Sequence, residues 1–259
     1  MPQLRIFCYM PSPRVWKAKI AARLSGVDLE IRSAAPAKLK DWLWDFDARP
    51  LTEEDKDSDR YKLKGRTGFK GNVLHKTDKF LAAHPFGTVP AAFSPDGEIG
   101  IFESNSIMRA VARIATNNVG LYGGNPYLAS RIDSFLDASL VFARDSQIYL
   151  LSLTDKETTQ EIYNRASQAF SIYMSAIERA LASNGSFLVG DKLTLADICF
   201  ACEYAMFARE RRCSEALNTI GAKPISSGIS KRFPRAIEHF KTLCRHEAFS
   251  PELGTIVSE

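Results

Sequence analysis

The stretch Gly87 to Ala110, GTVPAAFSPDGEIGIFESNSIMRA, carries a proline, a turn, two strand-like runs and a helix start within two dozen residues. Pro90 follows Thr88 and Val89 and precedes the apolar run Ala91, Ala92, Phe93, so it reads as a proline opening a strand, where no ladder hydrogen bond is lost. The Val89-Pro90 bond at so tight a site is a candidate cis peptide. Ser94-Pro95-Asp96-Gly97 is turn chemistry, and with Ile99 to Phe102 as the returning strand it closes an antiparallel hairpin. From Asn105 to Ala115 the apolar positions Ile107, Ala110, Val111 and Ile114 fall at helical spacing. Ser104 therefore sits where a helix leaves its first backbone N–H groups unbonded, which is a ready site for a small anion.

Upstream, Leu4 to Tyr9 reads as a strand, and Met10-Pro11-Ser12-Pro13 as a turn that two prolines keep out of helix. Val15, Ala18, Ala21, Ala22 and Leu24 mark a helix ending at Ser25-Gly26, and Asp28 to Arg32 a second strand. Strand, helix, strand requires a crossover and a parallel pair. Followed by the hairpin and its helix, the order is β-α-β then β-β-α, that of a thioredoxin-like domain, placed at residues 1–118. Leu121 to Pro126 reads as a linker, with Asn125-Pro126 as cap and first residue of a new helix. Residues 125–259 read as all-helical. One apolar stripe runs from Ile132 through Phe142, and a second from Ile162 through Leu181 to a stop at Asn184-Gly185. Phe187 to Glu203, FLVGDKLTLADICFACE, contains Thr194 and Asp197 at capping-box spacing, with Leu193 and Ile198 as a hydrophobic staple. The fold class expected is α/β plus all-α.

With 259 residues, 45% hydrophobic and 25% charged, the composition is that of a soluble two-domain globular chain. No uninterrupted apolar run of about 18 residues exists, so no membrane span is expected. A net charge of +4 is too mild for a nucleic-acid-binding face, and none is expected. Five cysteines in no framework spacing suit a reducing cytosol, and with no apolar signal core in the first residues a cytoplasmic location is the expectation. Cys199 and Cys202 form a C-x-x-C inside an apolar helical pattern and read as buried thiols; no metal is expected.

Residues 37–79 break the pattern. Trp42 and Trp44 are followed by the acidic cluster Glu53, Glu54, Asp55, Asp57, Asp59 and then by Lys62, Lys64, Arg66 and Lys70. So long a connection is a functional loop or an insertion. It reads either as a solvated excursion with local ion pairs or as a lid whose Trp42 or Trp44 forms an apolar wall.

Three blocks, TVPA with FESNSI, SPRVWKAKIAARLSGV, and FLVGDKLTLADICFACE, resemble the cytosolic glutathione S-transferase superfamily, most closely the transferase domain of elongation factor 1 gamma subunits. The resemblance covers roughly residues 1–36 and 77–250. It implies that glutathione, as co-substrate, pairs with the backbone at Val89 beside a cis Pro90, and that Glu103 and Ser104 hold its γ-glutamyl end. It also implies attack of the glutathione thiolate on a hydrophobic electrophile, a role in detoxification, and a homodimer. The thiol must be held as thiolate, the nucleophilic form, and a hydroxyl at a helix N-terminus does so with its own proton and the helix dipole. Ser12 matches the S-P turn of the plant-type transferases, and Tyr9 in Tyr9-Met10-Pro11 matches the Y-x-P of mammalian classes. Both remain candidates for the catalytic hydroxyl. Tyr9 also reads as a packed core aromatic, and Ser12 as a simple helix cap. The elongation factor resemblance supports an alternative, a non-catalytic scaffold that binds partners.

Overall fold

The computed structural model describes residues 2–66, 68–117 and 119–258. The chain divides into two compact units, Met1–Asn117 and Asn118–Glu259.

In the first unit the elements run β1 (Leu4–Tyr9), α1 (Pro13–Ser25), β2 (Leu29–Ala34), a 3-10 turn (Pro36–Asp41), β3 (Trp42–Trp44), β4 (Arg49–Pro50), α2 (Glu53–Asp57), β5 (Lys62–Lys64), β6 (Val73–Lys76), α3 (Asp78–Ala83), β7 (Ala91–Phe93), β8 (Gly100–Phe102) and α4 (Ser104–Ile114). The main sheet has the order β2-β1-β7-β8. β1 runs parallel to β2 from Leu4↔Leu29 to Tyr9↔Ala34, and antiparallel to β7, which is antiparallel to β8. Gly97, at φ +76, makes the hairpin turn, and a Cβ there would meet the Phe46 ring at 2.8 Å. α1 ends at left-handed Gly26 and packs against α4.

Residues 37–79 are not the solvated excursion that one reading expected. They build a second four-stranded sheet, β4-β3-β6-β5. Alternation along β1 sends Phe7 to the face opposite Ile6 and Cys8. There Phe7 joins Leu39, Trp44, Leu74, Phe80 and Phe93 in one buried cluster. Trp44 is 1% exposed, donates its indole N–H to the Leu39 carbonyl at 3.0 Å, and meets Phe7, Phe69 and Phe80 edge-on. The Arg5 guanidinium, bonded to Glu30 and Asp47 and lying 4.0 Å over the Phe46 ring, ties the two sheets at their margin. The charged blocks do pair locally, Arg49 with Asp55, Lys56 with Glu53 and Lys62 with Asp59, and the Arg49 guanidinium pulls the Asp55 carboxyl down.

The second unit contains α5 (Pro126–Asp155), α6 (Gln160–Asn184), α7 (Leu195–Phe207), α8 (Ser214–Asn218), α9 (Ile229–Arg232), α10 (Pro234–Arg245) and α11 (Ser250–Leu253). Asn125 caps α5 through the amides of Tyr127 and Leu128, with Pro126 at the first position. The segment from Leu121 is more than a linker, because Leu121 is buried and its carbonyl accepts the Leu195 amide. Phe142 stacks on Tyr173 at 4.5 Å and Phe170 on Phe207 at 4.4 Å, which welds α5, α6 and α7. Thr194 and Asp197 form the expected capping box. Asp197 is fully buried and also accepts from the Leu188 amide at 2.9 Å and lies 2.9 Å from His239 Nε2, so one carboxylate fixes the start of α7 to two other segments.

Candidate functional site

Strand direction decides which residues meet. β8 runs parallel to β1, with β7 antiparallel between them, and Phe7, Ala91 and Phe102 lie in register across the three strands. The C-terminal ends of β1 and β8 and the N-terminal end of β7 therefore share one edge. Ser12 follows β1, Val89-Pro90 precedes β7, and Glu103-Ser104 follows β8, so these five residues leave the sheet at that edge. Ligands of open α/β sheets bind at such an edge, where strands hand over to helix N-termini.

At the first of these exits the Met10-Pro11 bond is cis, a feature the sequence reading had not anticipated. Ser12 is extended at φ −139, ψ 113, and Pro13 opens α1. The Ser12 carbonyl accepts the Val15 and Trp16 amides, but its side chain makes no cap hydrogen bond. Ser12 is thus the cap of α1 through its backbone alone, and its side chain takes no part. The hydroxyl is buried and has no hydrogen-bond partner among the described residues. A buried hydroxyl left unbonded costs about 1–3 kcal/mol, and an acceptor arriving at the N-terminus of α1 recovers it with help from the helix dipole. Tyr9, at the end of β1, is half-buried and packs against the Phe7–Trp44 cluster.

At the second exit the Val89-Pro90 bond is cis, as expected. The preceding loop is held from beneath. Lys76 Nζ donates to the Gly87 carbonyl at 2.7 Å while lying 4.7 Å over the Trp44 ring, and His84 Nε2 lies 3.4 Å from Thr88 Oγ1. Burial, with Arg66 nearby, lowers the Lys76 ammonium to about 8. Burial likewise pushes the imidazoles of His75 and His84 down; both His75 ring nitrogens and His84 Nδ1 are buried without partners among the described residues.

The third exit is backbone-strained. Glu103 adopts φ 67, ψ 124 ahead of the first turn of α4, a conformation that non-glycine residues hold only under constraint. Glu103 is exposed while Ser104 and Asn105 are buried. The first turn of α4 holds no acidic residue. A group that sequence reasoning missed stands against it. Lys17 of α1 is fully buried, with Nζ 2.8 Å from Asn105 Oδ1 and 3.4 Å from Ser104 Oγ. The only signal for it was a lysine on the small, apolar stripe of α1, in line with Pro13 and Ala21.

Other candidates lie elsewhere. Trp44 is core, which removes it as a substrate wall, whereas Trp42 is half-buried and stacked 6.1 Å from Phe7. Cys199 and Cys202 are each 1% exposed inside α7. Burial pushes the Cys8 thiol up to about 12. The second unit carries its own groove of about 400 Å3, lined by Phe135, Tyr173, Ile177 and the arginines Arg131 and Arg179. Among the described residues no group of three His, Cys, Asp or Glu side chains could hold a metal ion, and no helix is long and apolar enough to cross a membrane.

Comparison with known proteins gives a consistent picture. Residues 11–114 match the family described as glutathione S-transferase, N-terminal domain, and residues 133–246 match glutathione S-transferase, C-terminal domain. Elongation factor 1-gamma 1 of Oryza sativa subsp. japonica is 29% identical over 75% of this chain and 43% of its own length. Elongation factor 1-gamma of Danio rerio is 26% identical over 97% of this chain and 46% of its own. The chain thus spans less than half the length of the curated relatives it matches. Two solved structures share its fold. A glutathione transferase homologue from Lodderomyces elongisporus, with two GSH per subunit, aligns over 98% of this chain and 99% of its own at a TM-score of 0.67 and 15% identity. A glutathione S-transferase from Methylobacterium radiotolerans, in complex with glutathione sulfonate, aligns over 96% of this chain and 94% of its own at 0.62 and 15% identity.

Proposed function

This chain belongs to the glutathione S-transferase superfamily, and on that premise we propose that it is a glutathione transferase whose first unit binds glutathione and activates its thiol. The observation that carries the reading is the Ser12 hydroxyl, buried, unbonded and set at the N-terminus of α1. It leaves the sheet at the same edge as Val89-Pro90 and Glu103-Ser104. In this reading the peptide of glutathione pairs with the backbone at Val89, and its γ-glutamyl end rests on Glu103 and Ser104. The Ser12 O–H donates to the sulfur and, with the α1 dipole, favours thiolate over thiol. The thiolate then forms a bond to an electrophilic carbon, whose leaving group departs with the bonding pair. Tyr9 remains the competing donor, because it closes the strand that leads into the same turn.

We place the activity in the cytoplasm, as detoxification of hydrophobic electrophiles by a homodimer. Exposed Phe86 and Ile99 on the first unit and Val141 and Ile172 on the second are apolar surface available to a second copy, and light scattering on the purified chain measures it. A second reading, a non-catalytic scaffold, is favoured by the elongation factor 1-gamma relatives.

The deciding experiment is calorimetric titration of glutathione into the wild type, Ser12→Ala and Tyr9→Phe, with the pKa of the bound thiol followed by thiolate absorbance. The expected result is a depressed thiol pKa that rises in Ser12→Ala alone, with turnover falling roughly a hundredfold, as for loss of one anion-stabilising donor. A rise in Tyr9→Phe alone transfers the role to Tyr9. Binding without turnover favours the scaffold, and absence of binding sinks the transferase reading.

A further inference from the structure

The second sheet has two edges that differ in what they offer a further strand. In the order β4-β3-β6-β5, β4 ends in Pro50, which has no backbone N–H to donate. β5 is paired on one side alone, with β6. The Lys76 amide donates to the Tyr61 carbonyl and the Gly65 amide to the Asn72 carbonyl. Tyr61, Leu63 and Gly65 therefore turn their backbone groups toward β6, and by the alternation of an antiparallel ladder Lys62 and Lys64 turn theirs outward. The Lys62 amide is taken up by the Asp59 carbonyl at 3.3 Å. The Lys62 carbonyl and both backbone groups of Lys64 have no partner among the described residues. Such a row is what an extended peptide joins as an added strand.

The side chains select the peptide. Cross-strand partners share a face, so Lys62 and Lys64 stand with His75 and Val73, while Leu63, 40% exposed, stands on the face of Leu74. No acidic residue occurs from Arg60 to Lys76. Lys62 pairs with Asp59, but Lys64 and, just beyond the strand, Arg66 and Lys70 are exposed with no carboxylate partner among the described residues. Lysines on an edge keep chance strands away. A second copy of this edge would set lysine against lysine, which disfavours it. A strand with carboxylates on that face is drawn in by the same charges.

We propose that the open edge of β5 is a docking strand for an acidic polypeptide segment in extended conformation. Its carboxylates stand at alternate positions opposite Lys62 and Lys64, and apolar side chains between them lie on the Leu63 face. The surface uses none of the residues of the glutathione reading and stands whether or not glutathione binds.

The probe is an end-capped octapeptide of alternating Glu and Val, titrated into the full-length 15N-labelled chain at neutral pH. The expected result is a set of amide shifts centred on residues 61–65, with slowed exchange of the Lys64 amide. In the docked register the Glu amides face β5, so methylating them removes hydrogen bonds and keeps charge; replacing Glu by Gln does the reverse. Each change should weaken binding by roughly tenfold or more, and both are read on the unaltered protein. Lys64→Glu, an exposed substitution, should reverse the preference toward a peptide of alternating Lys and Val. Equal binding of the methylated peptide, or equal binding of an oligouridylate of the same charge, leaves a charged surface with no added strand and overturns the inference. Absence of binding, or shifts that bypass β5, overturns it as well.

Discussion

Replacing Trp44 by alanine separates a folded second layer from a surface excursion. Trp44 is 1% exposed, with ring centroids at 5.5, 5.6 and 6.0 Å from Phe7, Phe69 and Phe80 and its N–H on the Leu39 carbonyl. Truncating a buried tryptophan costs about 3–5 kcal/mol through lost transfer energy and the cavity left behind. The Leu39 carbonyl, left without its donor, adds about 1 kcal/mol. A loss of about 4–6 kcal/mol is therefore expected, against less than about 0.5 kcal/mol for a residue on a solvated excursion. Urea unfolding followed by far-UV circular dichroism measures the loss. Because the chain has two units and need not unfold in one step, hydrogen exchange over residues 42–44 and 73–76 locates it. A second readout is independent of stability. Lys76, held near 8 by burial beside this ring, should titrate closer to its ordinary 10.5 once the cover is gone. A loss below about 1 kcal/mol with unchanged exchange in both strands would refute the second-layer assignment.

Three further outcomes rest on other buried groups. With its folded pKa at about 8 and its ordinary value at 10.5, Lys76 is more protonated in the unfolded chain between those limits, so its penalty is relieved as pH rises from 8 to 10.5; the difference between wild type and Lys76→Met in urea midpoints should shrink or reverse with that sign across the window. Asp197→Ala strips the acceptor from the Leu188 and Thr194 amides and from His239 in a buried site, and the unfolding free energy should fall by roughly 3–5 kcal/mol while any glutathione affinity of the wild type is kept. In the native chain a thiol reagent should label Cys213, the half-exposed cysteine, and leave buried Cys8, Cys199, Cys202 and Cys244 untouched; rapid labelling at the C-x-x-C would contradict its placement inside α7.

What was legible in the sequence was what local chemistry dictates. The prolines at 11, 13 and 90, the Ser94 to Gly97 turn, the Asn125-Pro126 start and the Thr194–Asp197 box each act within four residues, and each predicted the element found there. Boundaries moved slightly: β2 runs Leu29–Ala34 rather than from Asp28, and α4 begins at Ser104 rather than Asn105. What stayed hidden depends on contacts made at long range. Strands of two to four residues, such as Trp42–Trp44 and Arg49–Pro50, are too short to show a period of two, and they exist because the far face of β1 and β7 offers Phe7 and Phe93 to pack on. Lys17 and Lys19 differ by two positions on one helix, and nothing in composition says which is fully buried.

The second sheet bears on the site as its foundation. β6 supplies Lys76 to the Gly87 carbonyl, and His84, just beyond α3, stands against Thr88, so the chain entering cis Pro90 is fixed by the very region that looked separable. Gly87, at φ +58, fits there because a Cβ would press on Leu81 at 3.0 Å and on Lys76 Nζ at 3.4 Å. A lid built on this sheet would have to expose Trp44 each time it opened. Exposing that buried ring and freeing its bonded N–H costs several kcal/mol, which makes the open state too rare for the region to serve as the ordinary gate to Ser12. Of the two tryptophans of the region, the half-buried Trp42 is the one not committed to the core, and it is anchored by its stacking on Phe7. The 37–79 segment thus holds the approach to Pro90 still, and on the proposed glutathione reading variants that loosen it should weaken binding at Val89-Pro90 before they change turnover through Ser12.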